Sequence, residues 1–358
     1  MTPDELRSAQ RLTMANPERL RLLARMLTHP EGRSSAVGLT LPEDGDAASA
    51  VGDVEQHLEA LAAVGLVAVS GPLPGSADAT APRYRLSSRG IARFGSAALA
   101  TPRHPGDAAL DPHDHDALLD RLVETLSTGF ALNAGAATVD RLVRECYTAL
   151  SRQIGSSGHL PALTAWLATD RLAAMTEVTH GSPRDVLFVC VHNTGRSQIA
   201  AAVTRRLAGD RIRVRTAGTR PVAEPDEMTE TVLARRGLDG LVEFPRELTD
   251  DIVRASGVIV TMGCGDACPV YPGRRYLDWP LDDPAGRSVE DVERIVDDIT
   301  ARVRALVAEI DEAESRSAEA VPAREPDWSP LGWLPRLTRR PWSAVATALG
   351  AKGQRKAR

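Results

Sequence analysis

The chain has 358 residues, a formal net charge of −5 and 43% apolar residues, a composition that suits two or three globular domains. A net negative charge gives no overall attraction for nucleic acid. Four cysteines are too few for a disulfide framework, and no segment resembles a signal peptide or a membrane span. We therefore expect a cytoplasmic protein in which clustered cysteines serve catalysis or metal binding rather than structure.

Residues 1–98 form the first predicted unit. Helical periodicity at 17–27 is followed by a helix running into a strand at 53–69, then by a second strand and a helix start at 83–94. Two helices followed by a two-stranded wing are typical of winged-helix domains. The segments "ANPERLRLL" and "HLEALAAVGLV" resemble the arsenical-repressor type of that domain.

Two features of this unit depart from that family. No cysteine precedes Cys146, so the inducer-binding cysteines of the family are missing. The predicted recognition helix carries Asp53, Glu55 and Glu59 and no Lys or Arg, whereas a DNA-reading helix needs cations near the phosphates. The charge of this helix disfavours DNA as a partner of residues 1–98 and favours a role in docking or in formation of a homodimer. The alternative function for the whole chain is a regulator that senses oxyanions or redox state.

Residues 99–112 are rich in Pro, Asp and His and are predicted to be a linker. Residues 113–181 repeat apolar positions at three- and four-residue spacing, which predicts three amphipathic helices in a small bundle. This segment resembles the three-helix domain that precedes some bacterial arsenate reductases and phosphatase-like proteins. Cys146 lies on an apolar helical face and is interpreted as a buried hydrophobic residue.

Residues 183–312 alternate strand and helix patterns. This alternation predicts an α/β fold with a four-stranded parallel sheet flanked by helices, as in low-molecular-weight phosphatases. Active sites in such sheets lie at the carboxyl ends of the strands. Cys190 ends the apolar run "DVLFVC" and is therefore a candidate active-site residue.

The motif Cys190-x5-Arg196-Ser197 sits at this strand–loop–helix junction. Backbone N–H groups of a tight loop and of a helix N-terminus favour a thiolate over a thiol. Gly195 supplies backbone freedom, Asn193 can hold the curvature of the loop, and the Arg196 guanidinium can grip two oxyanion oxygens at once. Ser197 can donate its hydroxyl to the thiolate.

This stretch resembles the low-molecular-weight tyrosine phosphatase superfamily, which contains the thioredoxin-linked arsenate reductases. The resemblance makes Cys190 the nucleophile, Arg196 the oxyanion ligand and Ser197 the group that stabilises the thiolate. It also implies that the turn "TAGTRP", residues 216–221, supports the loop that follows Cys190. The oxyanion-binding loop would consist of six consecutive residues: Val191, His192, Asn193, Thr194, Gly195 and Arg196.

The family protonates the leaving oxygen with the aspartate of an Asp-Pro pair. Asp283-Pro284 in "WPLDDPAGRS" matches that pair, and Asp282 beside it is a competing candidate. An Asp before Pro is also common in ordinary turns. Ala285-Gly286 follow the pair where tyrosine phosphatases of the family usually carry aromatic residues, which suits a small inorganic oxyanion better than a phenol.

Cys264 and Cys268 follow a predicted strand in "TMGCGDACP". They could be half of a metal site, but no second Cys or His pair follows at zinc spacing. They could also be inert thiols. Because they fall where the arsenate reductase branch carries redox cysteines, and a reductase must release its oxidising equivalent as a disulfide, we interpret them as the resolving pair.

These features together predict an arsenate reductase that uses Cys190, Arg196, Ser197, Asp283, Cys264 and Cys268. No bound cofactor or metal is expected. The reductant would be thioredoxin or a mycothiol and mycoredoxin type of thiol system. The same-family alternative is a protein-tyrosine phosphatase. Residues 313–358 lose the α/β pattern, and from Trp328 onward they carry basic residues together with Trp328, Trp333 and Trp342. Such a tail could contact an anionic membrane surface or nucleic acid; a disordered solubilising tail is the alternative that we favour.

Overall fold

A computed structural model describes residues 2–29, 34–40, 47–70, 82–102, 107–155, 157–176, 181–223, 227–264 and 268–319. The helices and strands in chain order are α1 (Pro3–Met14), α2 (Pro17–Leu27), α3 (Ala36–Leu39), α4 (Ala47–Ala63), β1 (Val67–Ser70), β2 (Arg83–Leu86), α5 (Ser88–Ala100), α6 (His115–Gly129), α7 (Ala136–Ile154), α8 (Leu160–Thr176), β3 (Asp185–Cys190), α9 (Arg196–Ala208), β4 (Arg213–Gly218), α10 (Glu227–Arg235), α11 (Asp250–Ala255), β5 (Val258–Thr261), β6 (Arg275–Asp278) and α12 (Val289–Glu319). Three of these helices, α1, α3 and α11, are absent from the sequence-based prediction.

The chain divides into a compact unit of residues 1–312 and a second unit of residues 313–358. Within the second unit, residues 313–319 are described, and they are helical. The predicted disorder of the tail and its three tryptophans lie outside the described residues.

Residues 1–98, called the N-terminal part below, contain the predicted helix that leads into a strand and the predicted pair of strands. Helix α4 leads into β1, which pairs antiparallel with β2 so that Val67 lies opposite Leu86. Ser87 caps α5, since its hydroxyl accepts a hydrogen bond from the Gly90 N–H at 3.0 Å. The assignment of residues 1–98 to the winged-helix family stays a prediction.

One hydrophobic core joins helices α1–α5 to the three helices α6–α8. Its fully buried members include Leu23 of α2, Leu58 of α4, Leu122 of α6 and Leu172 of α8. Helix α5 extends to Ala100, inside the segment predicted as a linker. The predicted boundaries at 98, 112, 181 and 312 stay predictions, but the parts on both sides of the predicted linker share this core.

The predicted four-stranded parallel sheet is confirmed, in the order β4–β3–β5–β6. Strand β3 is buried along its whole length because helices cover both of its faces. Alternate residues Val186, Phe188 and Cys190 pack in a cluster with α9 and α12. Leu187 and Val189 pack on the other face with α11 and the end of α8, so the three-helix segment contributes to covering the sheet.

All four strands run in the same direction, so their carboxyl ends meet at one edge of the sheet. Cys190 lies beside Gly218 of β4, and Val189 lies beside Thr261 of β5. The segments that carry the predicted catalytic loop, the cysteine pair and the aspartate loop all leave the sheet from this edge. Among the described helices, none combines the length and the low charge that crossing a bilayer requires.

Candidate active site

Cys190 is the last residue of β3, and its side chain is 2% exposed. The loop of residues 191–195 follows it and leads into α9, which begins at Arg196. The sulfur therefore lies between a strand end and a helix N-terminus, where backbone N–H groups point outward. All four cysteines of the chain have free thiols.

The end of β4 holds the backbone of this loop. The N–H groups of Thr219, Arg220 and Val222 donate to the carbonyl oxygens of Cys190, Val191 and His192 at 3.1, 2.9 and 3.3 Å. Gly218 permits the close approach, since a Cβ on it would lie 2.7 Å from the Val191 carbonyl oxygen. The turn "TAGT" thus fixes the curvature of the loop.

Three groups converge on the Cys190 sulfur and on the hydroxyl beside it. The Asn193 backbone N–H donates to Sγ at 3.2 Å, and Ser197 Oγ lies 3.0 Å from Sγ. The Asn193 side-chain Nδ2 donates to Ser197 Oγ at 2.9 Å. Because Ser197 accepts this bond, its own hydrogen is free to point at the sulfur, which stabilises a thiolate.

Asn193 is itself held in an unusual backbone conformation. Its φ is +57°, and among the described non-glycine residues it alone has a positive φ. Asn tolerates this left-handed region better than most residues do. Its Oδ1 accepts the backbone N–H of Arg246 at 2.9 Å and lies 3.5 Å from the Thr216 hydroxyl, so both ends of the amide are used.

Arg196 points at the aspartate loop. Its side chain is 8% exposed, and its Nη2 lies 2.7 Å from Asp283 Oδ2. Its Nη1 donates to the Leu281 carbonyl oxygen at 3.4 Å. Two glycines leave room for this arrangement: a Cβ on Gly195 would lie 2.5 Å from Pro284 Cγ, and one on Gly263 would lie 2.8 Å from Arg196 Nη1.

The structure distinguishes the two neighbouring aspartates. Asp283 forms the ion pair with Arg196 and accepts the Ala285 N–H at 3.2 Å. The Asp282 side chain is 75% exposed and lies 3.7 Å from Arg287. Both aspartates lie in the loop between β6 and α12, but only the Asp283 carboxylate faces the loop that follows Cys190.

Cys264 and Cys268 belong to the segment that follows β5. Cys264 is 8% exposed and packs in the same cluster as Val189, on the face of the sheet opposite to the Cys190 side chain. Burial raises its pKa, two backbone hydrogen bonds lower it, and the nearby Cys190 raises it. Burial, and secondarily the charge of Cys264, raises the pKa of Cys268 to about 11. Of the two thiols, Cys264 is the one nearer in sequence to the end of β5, which pairs with the strand that ends at Cys190.

Several residues that support the loop were missed by sequence reasoning. Gln198 Nε2 donates to the Asn193 carbonyl oxygen at 3.1 Å, and its Oε1 accepts the Glu243 N–H at 2.9 Å. Arg246 binds Asn193 through its backbone and Asp170 of α8 through its side chain. Only Gln198 adjoins a motif, so for Arg246 and Asp170 the sequence offered no local signal.

The described residues contain no group of three or more His, Cys, Asp or Glu side chains that could hold a metal ion. Positive charge at the loop comes instead from Arg196 and from the backbone N–H groups around the start of α9. The arrangement can bind a small tetrahedral oxyanion, attack it with a thiolate and offer a carboxyl group to the leaving oxygen.

Comparison with known proteins agrees with this geometry. Residues 185–316 match the family of low molecular weight phosphotyrosine protein phosphatases. A putative arsenate reductase of Halobacterium salinarum is 36% identical over 121 residues, which are 32% of this chain and 85% of that protein. The chain belongs to the low-molecular-weight phosphotyrosine phosphatase family. Residues 185–316 are called the phosphatase-family domain below.

Further relatives of the phosphatase-family domain are arsenate reductases. Arsenate reductase 1 of Staphylococcus epidermidis is 30% identical over 124 residues, 34% of this chain and 92% of that protein. The solved structure of a thioredoxin-dependent arsenate reductase of Corynebacterium glutamicum is 37% identical, with a TM-score of 0.51, over 56% of this chain and 99% of that one.

The three-helix segment has a family match of its own. Residues 119–176 match the N-terminal domain of protein-tyrosine-phosphatase-like proteins. The similarity to the Corynebacterium structure also covers more of this chain than the phosphatase-family domain contains. The predicted resemblance of α6–α8 to a phosphatase-associated helical domain is therefore confirmed.

Proposed function

We propose that this protein reduces arsenate to arsenite through a thiolate and a disulfide relay. The observation that carries the proposal is the presence, at one edge of the sheet, of a buried thiol loop after β3 and a second buried thiol, Cys264, after the neighbouring strand β5. A phosphatase needs no second thiol for turnover and could use one only to protect Cys190 from oxidation, whereas a reductase needs one in every cycle. The named arsenate reductases among the relatives support this reading.

In the first step, the Cys190 thiolate attacks arsenic. Asp283 gives a proton to the departing oxygen, which leaves as water, and a Cys190–arsenate adduct forms. Arg196 exchanges the Asp283 carboxylate for the arsenate oxygens. The released carboxylate takes up a proton from the bound arsenate or from solvent, and this is the proton that it delivers to the departing oxygen. Ser197 and the Asn193 N–H hold the thiolate until the attack.

In the second step, the Cys264 thiolate attacks the Cys190 sulfur. The sulfur–arsenic bond breaks and its electron pair stays on arsenic. Arsenite leaves, and a Cys190–Cys264 disulfide remains in the protein. Cys264 packs on the opposite face of the sheet from the Cys190 side chain, so this step requires the Cys264 thiol to move around the carboxyl ends of β3 and β5. Cys268 then attacks Cys264, frees Cys190 and leaves a Cys264–Cys268 disulfide.

An external dithiol reduces that disulfide. We favour thioredoxin because the Corynebacterium relative depends on it. A mycothiol and mycoredoxin system is the second candidate. Cys268 is the more exposed of the two downstream thiols, which agrees with its being the point of exchange, and the reaction suits the reducing cytoplasm predicted from the sequence. Oligomeric state, DNA binding and the winged-helix assignment stay predictions.

The test is arsenate-dependent reductant consumption by the purified full-length protein, with thioredoxin and mycothiol systems supplied in turn. Wild type is expected to turn over with thioredoxin. Cys190→Ser is expected to be inactive, whereas Cys264→Ser and Cys268→Ser are expected to stop before completing a second cycle. Steady turnover of Cys268→Ser with thioredoxin would show that the relay is wrong. Hydrolysis of p-nitrophenyl phosphate exceeding arsenate reduction would favour a phosphatase.

A further inference from the structure

Asp170 of α8 lies outside the phosphatase-family domain yet pairs with two of its buried residues. Its Oδ2 accepts a hydrogen bond from Arg246 Nη1 at 2.6 Å, and its Oδ1 lies 3.4 Å from Arg215 Nε. Both arginine side chains are 2% exposed. Burial raises the pKa of Asp170, but Arg246 and Arg215 outweigh it and hold the pKa well below the ordinary value. The carboxylate is therefore charged and serves as the counter-ion of the two guanidiniums.

Arg246 is fixed at three points. Besides Asp170, its Nε donates to the Thr216 carbonyl oxygen at 2.7 Å, and its guanidinium carbon lies 5.3 Å from the centre of the Trp166 ring. Trp166 is also part of α8, so the three-helix segment supplies both the charge and the aromatic surface that hold this side chain. A buried guanidinium that loses its carboxylate must move or recruit water.

The backbone of Arg246 connects this cluster to the thiol. Its N–H donates to Asn193 Oδ1, Asn193 Nδ2 donates to Ser197 Oγ, and Ser197 lies against Cys190 Sγ, at 2.9, 2.9 and 3.0 Å. The Arg246 N–H bond to Oδ1 is the shorter of the two bonds that this oxygen accepts, and it favours the amide orientation in which Nδ2 points to Ser197. Each bond in the series thus orients the next.

We propose that Asp170 is a positioning residue for the thiol loop, acting through Arg246 and Asn193 to orient the Ser197 hydroxyl toward Cys190. On this proposal the three-helix segment contributes a residue that positions the active-site loop. The proposal rests on the proposed function only in that Cys190 is the nucleophile. It applies equally if the oxyanion is phosphate.

The test measures the rate of Cys190 alkylation by iodoacetamide between pH 5 and 9, in full-length protein, with the modified peptide quantified by mass spectrometry. Asp170→Asn is expected to slow alkylation at pH 6 by about 2- to 30-fold, a range typical of coupling through packed networks, and to displace the profile toward higher pH. Asp170→Glu is expected to restore much of the rate at pH 6. Alkylation needs no arsenate, so the result is independent of whether the protein reduces arsenate.

The matched control is Asp251→Asn. Asp251 of α11 binds Arg171 of α8 at 2.9 Å and is 11% exposed, so this change removes a comparable ion pair between the same segments without touching the loop. It is expected to lower thermal stability but leave the alkylation profile as in wild type. An unchanged profile in Asp170→Asn, or an equal displacement in Asp251→Asn, would overturn the proposal.

A second variant covers the case in which Asp170→Asn does not fold. Arg246→Lys keeps the backbone N–H and a positive charge but loses the forked contact with Asp170 and Thr216. It is expected to displace the alkylation profile in the same direction. A wild-type profile in Arg246→Lys would contradict the proposal.

Discussion

At the scale of single residues, the Cys190 sulfur receives one backbone N–H and faces one hydroxyl, and each donor is itself fixed by a neighbour. These contacts stabilise a thiolate at this position. Arg196 supplies the positive charge and, in the described structure, is paired with Asp283. Three predictions follow from these contacts.

Ser197→Ala removes the hydroxyl beside the sulfur. A hydrogen bond to a charged group contributes about 1.5–3 kcal/mol, so we expect arsenate reduction at pH 7 to fall by about 10- to 100-fold. Single-turnover assays report the first step directly. A Ser197→Thr variant, which keeps a hydroxyl, should lose less, and equal losses in the two variants would contradict this role.

Asp283→Asn removes the proposed acid while preserving the size of the side chain. General acid catalysis typically contributes about 10²- to 10⁴-fold, and we expect the rate of arsenate reduction to fall within that range. Asp282→Asn is the matched control, because that carboxylate faces Arg287 and solvent, and its rate should stay near wild type. A larger loss in Asp282→Asn would mean that the acid is assigned to the wrong neighbour.

Gly263→Ala places a methyl group 2.8 Å from Arg196 Nη1, at a backbone φ of +74°. Gly273→Ala is a matched control, since its φ is +77° and nothing lies within 4 Å of the new Cβ. Both changes should cost about 1–2 kcal/mol of stability from backbone strain. Only Gly263→Ala should raise the KM for arsenate, by about tenfold or more if a charged contact of Arg196 is lost. Equal KM values would show that the guanidinium tolerates the methyl group.

At the scale of elements, residues 242–246 connect the N-terminal part to the helix that starts at the catalytic loop. Arg85 of β2 and Arg205 of α9 both bind the Glu243 carboxylate, and the Glu243 N–H donates to Gln198. Ser88 of α5 donates to the Val242 carbonyl oxygen at 2.8 Å. The strand pair of the N-terminal part therefore packs against a segment that supports the active site.

Glu243 gives this contact a pH dependence. Burial raises its pKa, but Arg205 and Arg85 outweigh burial and lower the pKa to about 2. A depressed carboxylate pKa stabilises the fold above the unfolded value of 4.5, and the contribution is lost as pH falls toward 2. Removing one partner of a buried ion pair costs about 3–5 kcal/mol, so we expect Glu243→Gln to reduce the free energy of unfolding by about that amount at pH 7 and by less at pH 3. Urea unfolding at pH 7 and pH 3 measures the difference in unfolding free energy between wild type and Glu243→Gln. A difference of the same size at both pH values would contradict this linkage.

The same contacts show what sequence alone could predict. Cys190, Arg196 and Ser197 lie within eight residues, so their chemistry is visible in one motif. Asp283 needed a family resemblance, because it is 87 residues from the arginine that it meets. Asp170 and Arg246 are 76 residues apart, and their meeting depends on how α8 packs against the sheet, which no periodic pattern encodes.

At the scale of the whole molecule, α1–α8 share one hydrophobic core although the sequence suggests a linker between α5 and α6. Leu23 of α2 and Leu172 of α8 are both fully buried in it. The alternation of strand and helix predicted the sheet, whereas the common core joins helices that are more than a hundred residues apart. Local periodicity identifies the apolar faces of these helices but not their partners.

Leu23→Ala tests whether this core is one cooperative unit. A buried Leu-to-Ala change costs about 2–5 kcal/mol, and we expect amide protection in hydrogen exchange to fall in α7 and α8 as well as in α2. Leu306→Ala is the control, since Leu306 of α12 is similarly buried but belongs to the core of the sheet. Loss of protection confined to α1–α5 would show two independently folding domains.

The ion pair between Arg196 and Asp283 also bears on selectivity. An anion that enters the loop competes with the Asp283 carboxylate for Arg196. Its binding free energy is therefore weakened by the free energy needed to separate the Arg196–Asp283 ion pair. Weakly bound anions such as chloride gain too little from the loop to displace the aspartate. A doubly charged tetrahedral oxyanion, which can use the guanidinium and the loop N–H groups together, gains more. We therefore expect the resident carboxylate to discriminate against weakly binding anions.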